Sequence, residues 1–416
     1  MDNHAIAAIL SCMKRDADVL IVGGGLNGPA LALALAQGGI RSCVLDATPP
    51  SDRDADTFDG RAYALALSTR RMLGALGLWE GLSDQAQPIL DIKVSDGRPG
   101  EGASPLFVHF DHHEIEEGPM GHLVEDRYLR RALMKSVADN DLITFEAPVE
   151  VIAQTTSPGG VSVTLSDGRE RSASVLIGCD GKRSEVAKRA GIGRLGWTYD
   201  QSSLVCAIEH ELPHNGIAHQ FFMPSGPLAI LPLPGNRSSI VWTETTARAA
   251  MILAMSERDY LAELRPRFGD FLGKIGLAGD RFSYPLGLSL AEGLTAERVA
   301  LAGDAAHGIH PLAGQGLNLG LRDVAALSEV LIDAKRRGED IGAADVLDRY
   351  ARWRRFDTVA LAAATDGINR IFSNDNPLLR VGRDLALGLV GSFTASRRAL
   401  IREAAGLTGE LPRLMR

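Results

Sequence analysis

The sequence predicts an α/β fold, α+β in part. Three short apolar runs, at residues 18–22, 175–179 and 298–302, each end in a glycine or aspartate turn and lead into a helical pattern. Between the second and third, residues 200–245 alternate as a separate sheet would, and from Asp345 onward apolar residues are spaced for one buried helical face.

The first run is followed at once by Gly23-Gly24-Gly25-Leu26-Asn27-Gly28. Gly23, Gly25 and Gly28 have the spacing that allows a tight turn, close approach of a pyrophosphate, and close packing of helix on strand. Amide groups at the start of the helix that follows can bind the phosphates. Residues 41–45 form the next strand, and Asp46 closes it 18 residues after Gly28, where a carboxylate can take both hydroxyls of an adenosine ribose. The order predicts a Rossmann-like unit; NAD and FAD sites share it.

The second run ends in Asp180-Gly181, with Ser184 and Val186 opening a helix. A strand-end turn and a ligand-binding turn are both open readings there. Just upstream, residues 161–165 and 170–177 flank Ser166-Asp167-Gly168 as a hairpin. Further on, residues 226–233 read as a strand that forms either a plain sheet face or the wall of an apolar site, and Pro234-Gly235-Asn236 turns the chain.

Residues 303–323, GDAAHGIHPLAGQGLNLGLRD, are the most informative stretch. Gly303-Asp304 ends the third run where a carboxylate can accept from a ribityl or ribose hydroxyl. Pro311, Gly314 and Gly316 leave backbone amides uncovered, so a planar ring can approach them. A helix is expected from about Leu317, closed by Lys335-Arg336-Arg337 and Gly338. Its start favours negative charge, and a reduced flavin carries negative charge on its pyrimidine edge. An ordinary strand, loop and helix of an α/β core is the alternative.

With 416 residues, 45% hydrophobic and 23% charged, the chain has room for two or three substructures and lacks the composition of disorder. A net charge of −8 excludes a broad basic surface for nucleic acid. Cys12, Cys43, Cys179 and Cys206 are widely spaced with no CxxC pair, which fits a reduced cytoplasmic compartment and neither a disulfide framework nor a metal site. The first sixteen residues are a poor signal peptide, and Met13 offers a second start. Glycines interrupt the longest apolar stretch, residues 19–40, against a membrane span. Between Arg380 and Arg416 seven arginines give a basic amphipathic tail, read either as a contact for an anionic membrane or partner, or as a helical cap with a solvated face.

With these motifs the chain resembles the flavoprotein aromatic hydroxylases of the p-hydroxybenzoate hydroxylase type, most closely the ubiquinone-biosynthesis hydroxylase subfamily, over nearly its full length. Residues 310–323 are similar to the subfamily's own signature. Asp59-Gly60-Arg61, Gly77-Leu78-Trp79, residues 121–126, Gly226-Pro227-Leu228-Ala229 and the tail from Phe372 to Leu407 are also similar. The resemblance implies a discontinuous FAD-binding domain (13–85, 120–197 and 285–340), a mixed-sheet substrate domain (86–119 and 198–284) and a C-terminal helical segment (341–416). It implies that Gly23, Gly25, Gly28 and Asp46 hold the ADP half of FAD and Arg61 the pyrophosphate. Gly303 and Asp304 would meet the ribityl region, and Pro311, Gly314, Gly316, Leu317 and Asn318 the isoalloxazine. Asp180-Gly181 resembles a motif that serves both FAD and reduced nicotinamide. Two departures stand out: Ala187, then Lys188, where relatives commonly have Arg, and Asp46 for the more usual Glu.

The implied chemistry is reduction of FAD by NAD(P)H, reaction with O2, and hydroxylation of a prenylated phenol in ubiquinone biosynthesis. His310, Pro311 and Gln315 are flavin-loop candidates for catalysis, and His219, Tyr63, His307 and His310 are proton acceptors by type. An FAD-dependent reductase of a prenyl lipid and a non-catalytic FAD scaffold subunit share the same scaffold. A quinone-biosynthesis complex and peripheral contact with the inner membrane are the implied partners.

Overall fold

The structure is a computed structural model that describes residues 15–49, 51, 58, 60–310, 314–373 and 393–416. Cys12, Met13, Asp59, Pro311 and residues 374–392 lie outside the described residues.

The apolar runs come together as one sheet. Val19–Val22 (β1) lies between Ser42–Leu45 (β2) and Val175–Gly178 (β4), with Ile143–Glu146 (β3) beyond β2 and Val299–Leu301 (β5) beyond β4, all parallel. Thr295–Ala296 adds an antiparallel edge. β2, β4 and β5 are buried along their whole length, as parallel strands covered on both faces must be. The helix Asn27–Gln37 (α1) covers one face with its Ala- and Leu-rich surface and packs against Gln315–Arg336 (α2). α2 begins two residues earlier than its apolar spacing suggested, after Gly314 in the left-handed region at φ 64°.

One expected strand is two. Residues 170–177 break at Ser174: Glu170–Ala173 completes the hairpin with Gly160–Leu165, whereas β4 joins the parallel sheet with Val175 opposite Val19. The Ser174 amide donates to the Asp18 carbonyl at 3.0 Å, turning the chain from an alternating half-exposed edge into a continuous buried run.

A second, nine-stranded mixed sheet draws its strands from two separated stretches, Asp91–Arg98 with Gly102–Asp111, and Arg194 through Ala291, and closes on His307–Gly308. Residues 226–233 lie inside it, between Ile217–Met223 and Arg237–Thr245. One face of its centre is sealed by Thr246–Leu253 and Glu257–Phe268, which supply Ala249, Ile252, Tyr260, Leu264 and Phe268 to a cluster with Leu204, Leu228 and Trp242. The opposite face turns toward the three-stranded sheet of Ala62–Ala66, Gln87–Ile89 and Gly121–Glu125. Ala344–Phe372 (α3) and Thr394–Ala404 (α4) follow. Among the described residues no helix is long and apolar enough to cross a membrane.

Candidate functional site

The glycine turn after β1 shows three different reasons for having no side chain. A Cβ on Gly23 would overlap the Cys179 carbonyl at the end of β4, and one on Gly28 would overlap the Gly23 carbonyl. At Gly25 a Cβ would meet no atom within 4 Å. Two glycines therefore serve packing, and the one between them faces open space, as close approach of a pyrophosphate to the backbone requires. α1 begins with no side-chain cap, which leaves the amides of its first turn for a ligand. Asp46 accepts from the amides of Gly24 and, at 2.7 Å, Thr48, so its carboxylate is held against the turn. Gly24 is also constrained, because a Cβ there would stand 2.8 Å from the Asp46 carboxylate and from Phe145.

The ends of β4 and β5 meet the same turn. Gly303 and Gly320 leave room for the Asn27 side chain, whose Oδ1 is buried without a partner among the described residues. Asp180 accepts from the Val186 amide at 3.1 Å through Oδ2, while its Oδ1 is also buried with no partner among the described residues. Unpaired buried oxygens cost about 1–3 kcal/mol each, so two of them beside one turn mark a place for ligand donors. Arg194, absent from every motif, donates to the Ala305 carbonyl, to the Asp304 carbonyl at 3.3 Å and to Ser289 at 3.0 Å. Burial lowers the pKa of Arg194, opposed by the charges of Asp180 and Asp304. Ala187 is buried in the core behind β4, and Lys188 pairs with Glu185 at 3.4 Å on the surface. Arg194 thus feels the charge of Asp180 from the Asp304 turn, in addition to the adjacent Lys182 and Arg183 of the chain.

The flavin-loop residues are fixed from below. Asn318 accepts from the Ala66 amide at 2.9 Å and the Thr69 hydroxyl at 2.8 Å, and donates to the carbonyls of Ala64 at 2.7 Å and Gly314 at 3.2 Å. Its amide is spent on the protein, tying the start of α2 to Ala62–Ala66. A Cβ on Gly314 would press on Ala64 at 3.1 Å, and one on Gly316 would be in open space. With no side-chain cap on α2, the amides near Gln315, Gly316 and Leu317 are available to a negatively charged ring edge.

Deeper lies a network that the motif reading missed. Asp323 is fully buried and accepts from the Gly303 amide at 3.1 Å, from His307 Nε2 at 2.5 Å and from Arg354 Nε at 2.8 Å. Burial opposes its charge, but facing His307 and Arg354 more than offset that and hold its carboxyl below the ordinary range. His307 therefore braces the Gly303 turn. Asp323 stood inside the signature; its partner Arg354 lies 31 residues on, outside any local pattern.

His310 is fully buried, and neither ring nitrogen has a partner among the described residues. Burial pushes its pKa down to about 4, so the ring is neutral, with the Tyr199 ring edge-on at 5.3 Å. The Tyr199 hydroxyl donates to Asp366 at 2.9 Å. Tyr63 donates to Asp126 at 3.0 Å, the same carboxylate that pairs with Arg61 at 3.3 Å and Arg130 at 3.0 Å. His219 does not reach the site. It shares a row with Ile230, Ile240 and Cys206 on the helix-sealed face, against Phe271, because side chains alternate and Gln220 takes the other face.

That other face is open. Gln220, Ala229, Val241 and Val205 form one row straight across four strands, and each is half-exposed, as is Leu231, while their strand neighbours Leu204, Leu228, Ile230, Ile240 and Trp242 are buried. Leu231 packs in the cluster that also holds Ala64, the residue under Gly314. The half-exposed row is thus on the sheet face that looks toward Ala64 and the start of α2, and Gln220 Nε2 in it is buried with no partner among the described residues.

The sequence matches the FAD binding domain family over residues 16–364. It is 46% identical over 415 residues to the ubiquinone hydroxylase UbiL of Rhodospirillum rubrum, covering 99% of this chain and 95% of that protein. It is 35% identical over 396 residues to the 3-demethoxyubiquinol 3-hydroxylase of Escherichia coli K12, covering 95% and 100%. Among solved structures, p-nitrophenol 4-monooxygenase PnpA from Pseudomonas putida DLL-E4 superposes with a TM-score of 0.78 at 21% identity over 96% of this chain and 100% of that one, a likeness of fold.

Proposed function

Because this chain belongs to the FAD binding domain family, we propose that it is an FAD-dependent monooxygenase that hydroxylates the aromatic ring of a prenylated phenol in ubiquinone biosynthesis, with NAD(P)H and O2 as co-substrates. The structural observation that carries the reading is the half-exposed, mainly apolar row of the second sheet on the face whose Leu231 shares a cluster with Ala64, the residue under the loop whose amides suit a flavin. The relatives' names supply the pathway.

In this reading the amides around Gly23, Gly25 and Gly28 hold the pyrophosphate, and Asp46 takes the adenosine ribose. Arg61 and Asp304 meet the pyrophosphate and ribityl portions. The start of α2, at Gly314, Gly316 and Leu317, faces the pyrimidine edge and favours its negative charge, with Asn318 holding the loop in place. Asp180, Gly181 and Arg194 form the polar corner that meets FAD and the nicotinamide. Bound FAD supplies the passage of electrons from nicotinamide to oxygen. The protein places the phenol ring: Val205, Ala229, Leu231 and Val241 exclude water, and Gln220 orients the ring oxygen through its unpaired amide.

The tail acts as a cap in this reading. Arg397 pairs with Glu114 at 3.0 Å, Arg402 with Glu117 at 3.2 Å and Arg413 with Glu329 at 3.0 Å, so these three arginines are tied to the chain's own carboxylates. Membership in a quinone-synthesis assembly is part of the proposal.

The test is NAD(P)H oxidation by the FAD-loaded protein with and without O2 and a prenylated phenol. The expected result is oxidation that needs O2 and quickens with the phenol, with one hydroxyl gained per ring. Turnover without O2 would identify a reductase, and retained FAD with no turnover a scaffold; either outcome overturns the reading.

A further inference from the structure

α3 has two distinct faces. One is buried, with Tyr350, Arg354, Thr358, Ala362, Thr365 and Asn369 recurring every three or four residues against the core. On the other, every exposed residue between Arg355 and Arg370 is apolar: Phe356, Val359, Ala360, Ala363, Ala364 and Ile368. Phe356 is 79% exposed, and Ile371, at 50%, extends the line past Arg370. From Phe356 to Ile371 the stripe runs about 22 Å at about 1.5 Å per residue. Soluble surfaces seldom leave so continuous an apolar strip uncovered.

The charges around the strip say what covers it. Arg352 and Arg355 are exposed at one end and Arg370 at the other, where its guanidinium lies 5.2 Å over the ring of exposed Trp197. The acids of this stretch, Asp357 and Asp366, are half-buried and paired, Asp357 with Arg354 at 2.8 Å and Asp366 with Arg370 at 2.9 Å, although the chain as a whole carries −8. An apolar helix face ended by arginines and a Trp matches a bilayer interface, where apolar side chains enter the acyl boundary and arginine heads reach lipid phosphates. Two copies packed on this same face would set arginine against arginine. The strip also adjoins the ring site, since Phe372 packs on Phe222 at 4.1 Å between ring centroids and Asn369 donates to Gln201 at 3.0 Å. Phe222 is on the same sheet face as Gln220, two residues away.

We propose that the outer face of α3, from Arg352 to Ile371, docks the enzyme on an anionic lipid bilayer, so that a lipid-borne substrate passes from the membrane along Phe372 and Phe222 to the ring site. The substrate class comes from the function proposed above. The docking test contains no substrate, so its failure leaves that function standing.

The experiment is flotation of the full-length, FAD-loaded protein with vesicles of phosphatidylglycerol and phosphatidylethanolamine, and with neutral phosphatidylcholine vesicles. Binding should favour the anionic vesicles and weaken as salt rises. Phe356→Glu combined with Ile371→Glu should abolish it, and Arg355→Glu should cut binding to anionic vesicles alone by about fivefold or more. All three positions are exposed, and unchanged FAD content and melting temperature verify that the variants are folded; Arg355→Glu serves if the double variant is not. Absence of binding by the parent, or binding indifferent to these changes, overturns the proposal. So does a dimer, seen by light scattering, that Phe356→Glu dissociates while vesicles remain unbound.

Discussion

Gly25 and Gly28 are both glycines of one turn, yet alanine at the two positions should fail in opposite ways. At Gly25 the added methyl meets no protein atom within 4 Å, and the backbone there is outside the left-handed region. Without FAD, Gly25→Ala should therefore fold as well as the parent, or gain about 0.4–1 kcal/mol from the stiffer unfolded chain. The methyl would nonetheless occupy the space through which the pyrophosphate reaches the amides. Losing one charge-assisted hydrogen bond, worth about 1.5–3 kcal/mol, weakens FAD binding by about 10- to 100-fold. At Gly28 the methyl would overlap the Gly23 carbonyl oxygen, and backbone cannot swing aside as a side chain can. Gly28→Ala should cost about 1–3 kcal/mol of folding free energy with or without cofactor. Urea unfolding of FAD-free protein and titration of FAD by flavin fluorescence separate the two. If Gly25→Ala binds FAD like the parent, or loses stability without it, the pyrophosphate is not where the turn implies.

Asp323→Asn keeps the shape of the buried network but leaves Arg354 with only its 2.8 Å pair to Asp357, and the loss expected is about 3 kcal/mol in urea unfolding together with weaker FAD retention; a loss below about 1 kcal/mol would contradict the bracing role. Burial holds His310 near a pKa of about 4, as it does His122 and His219, whereas the unfolded chain takes up those protons near the ordinary 6.5. Stability should thus fall as pH drops from about 6.5 toward 4, with His310 contributing up to about 3 kcal/mol. His310→Phe should flatten that slope, and an unchanged slope would remove His310 from the account. Gln220→Leu should leave FAD content alone and weaken phenol binding by about tenfold, with more NAD(P)H spent without hydroxylation; unaltered phenol affinity would show that the amide does not meet the ring oxygen.

What the residues themselves determined was local. Gly23, Gly25, Gly28, Asp46 and the Gly303-Asp304 turn were legible because each stands within a few positions of a strand end, and a missing side chain is visible in the sequence. The hairpin around Asp167 and the helical course after Asp345 were legible for the same reason, as short-range turn chemistry and periodicity. Packing alone decided the rest. Which side chains of residues 217–233 could meet a ligand depended on which face the two helices after Thr245 cover, and that choice left Gln220 on the uncovered face and put His219 on the sealed one. Arg354 found Asp323, and Arg194 found the Asp304 turn, across separations of 31 and 110 residues, and nothing in either arginine's neighbourhood announces a partner that far away. Likewise a helix sequence tells how its apolar residues are spaced, but only the surrounding fold determined that α3 would bury the face of Tyr350, Arg354 and Asn369 and present an apolar one to the outside.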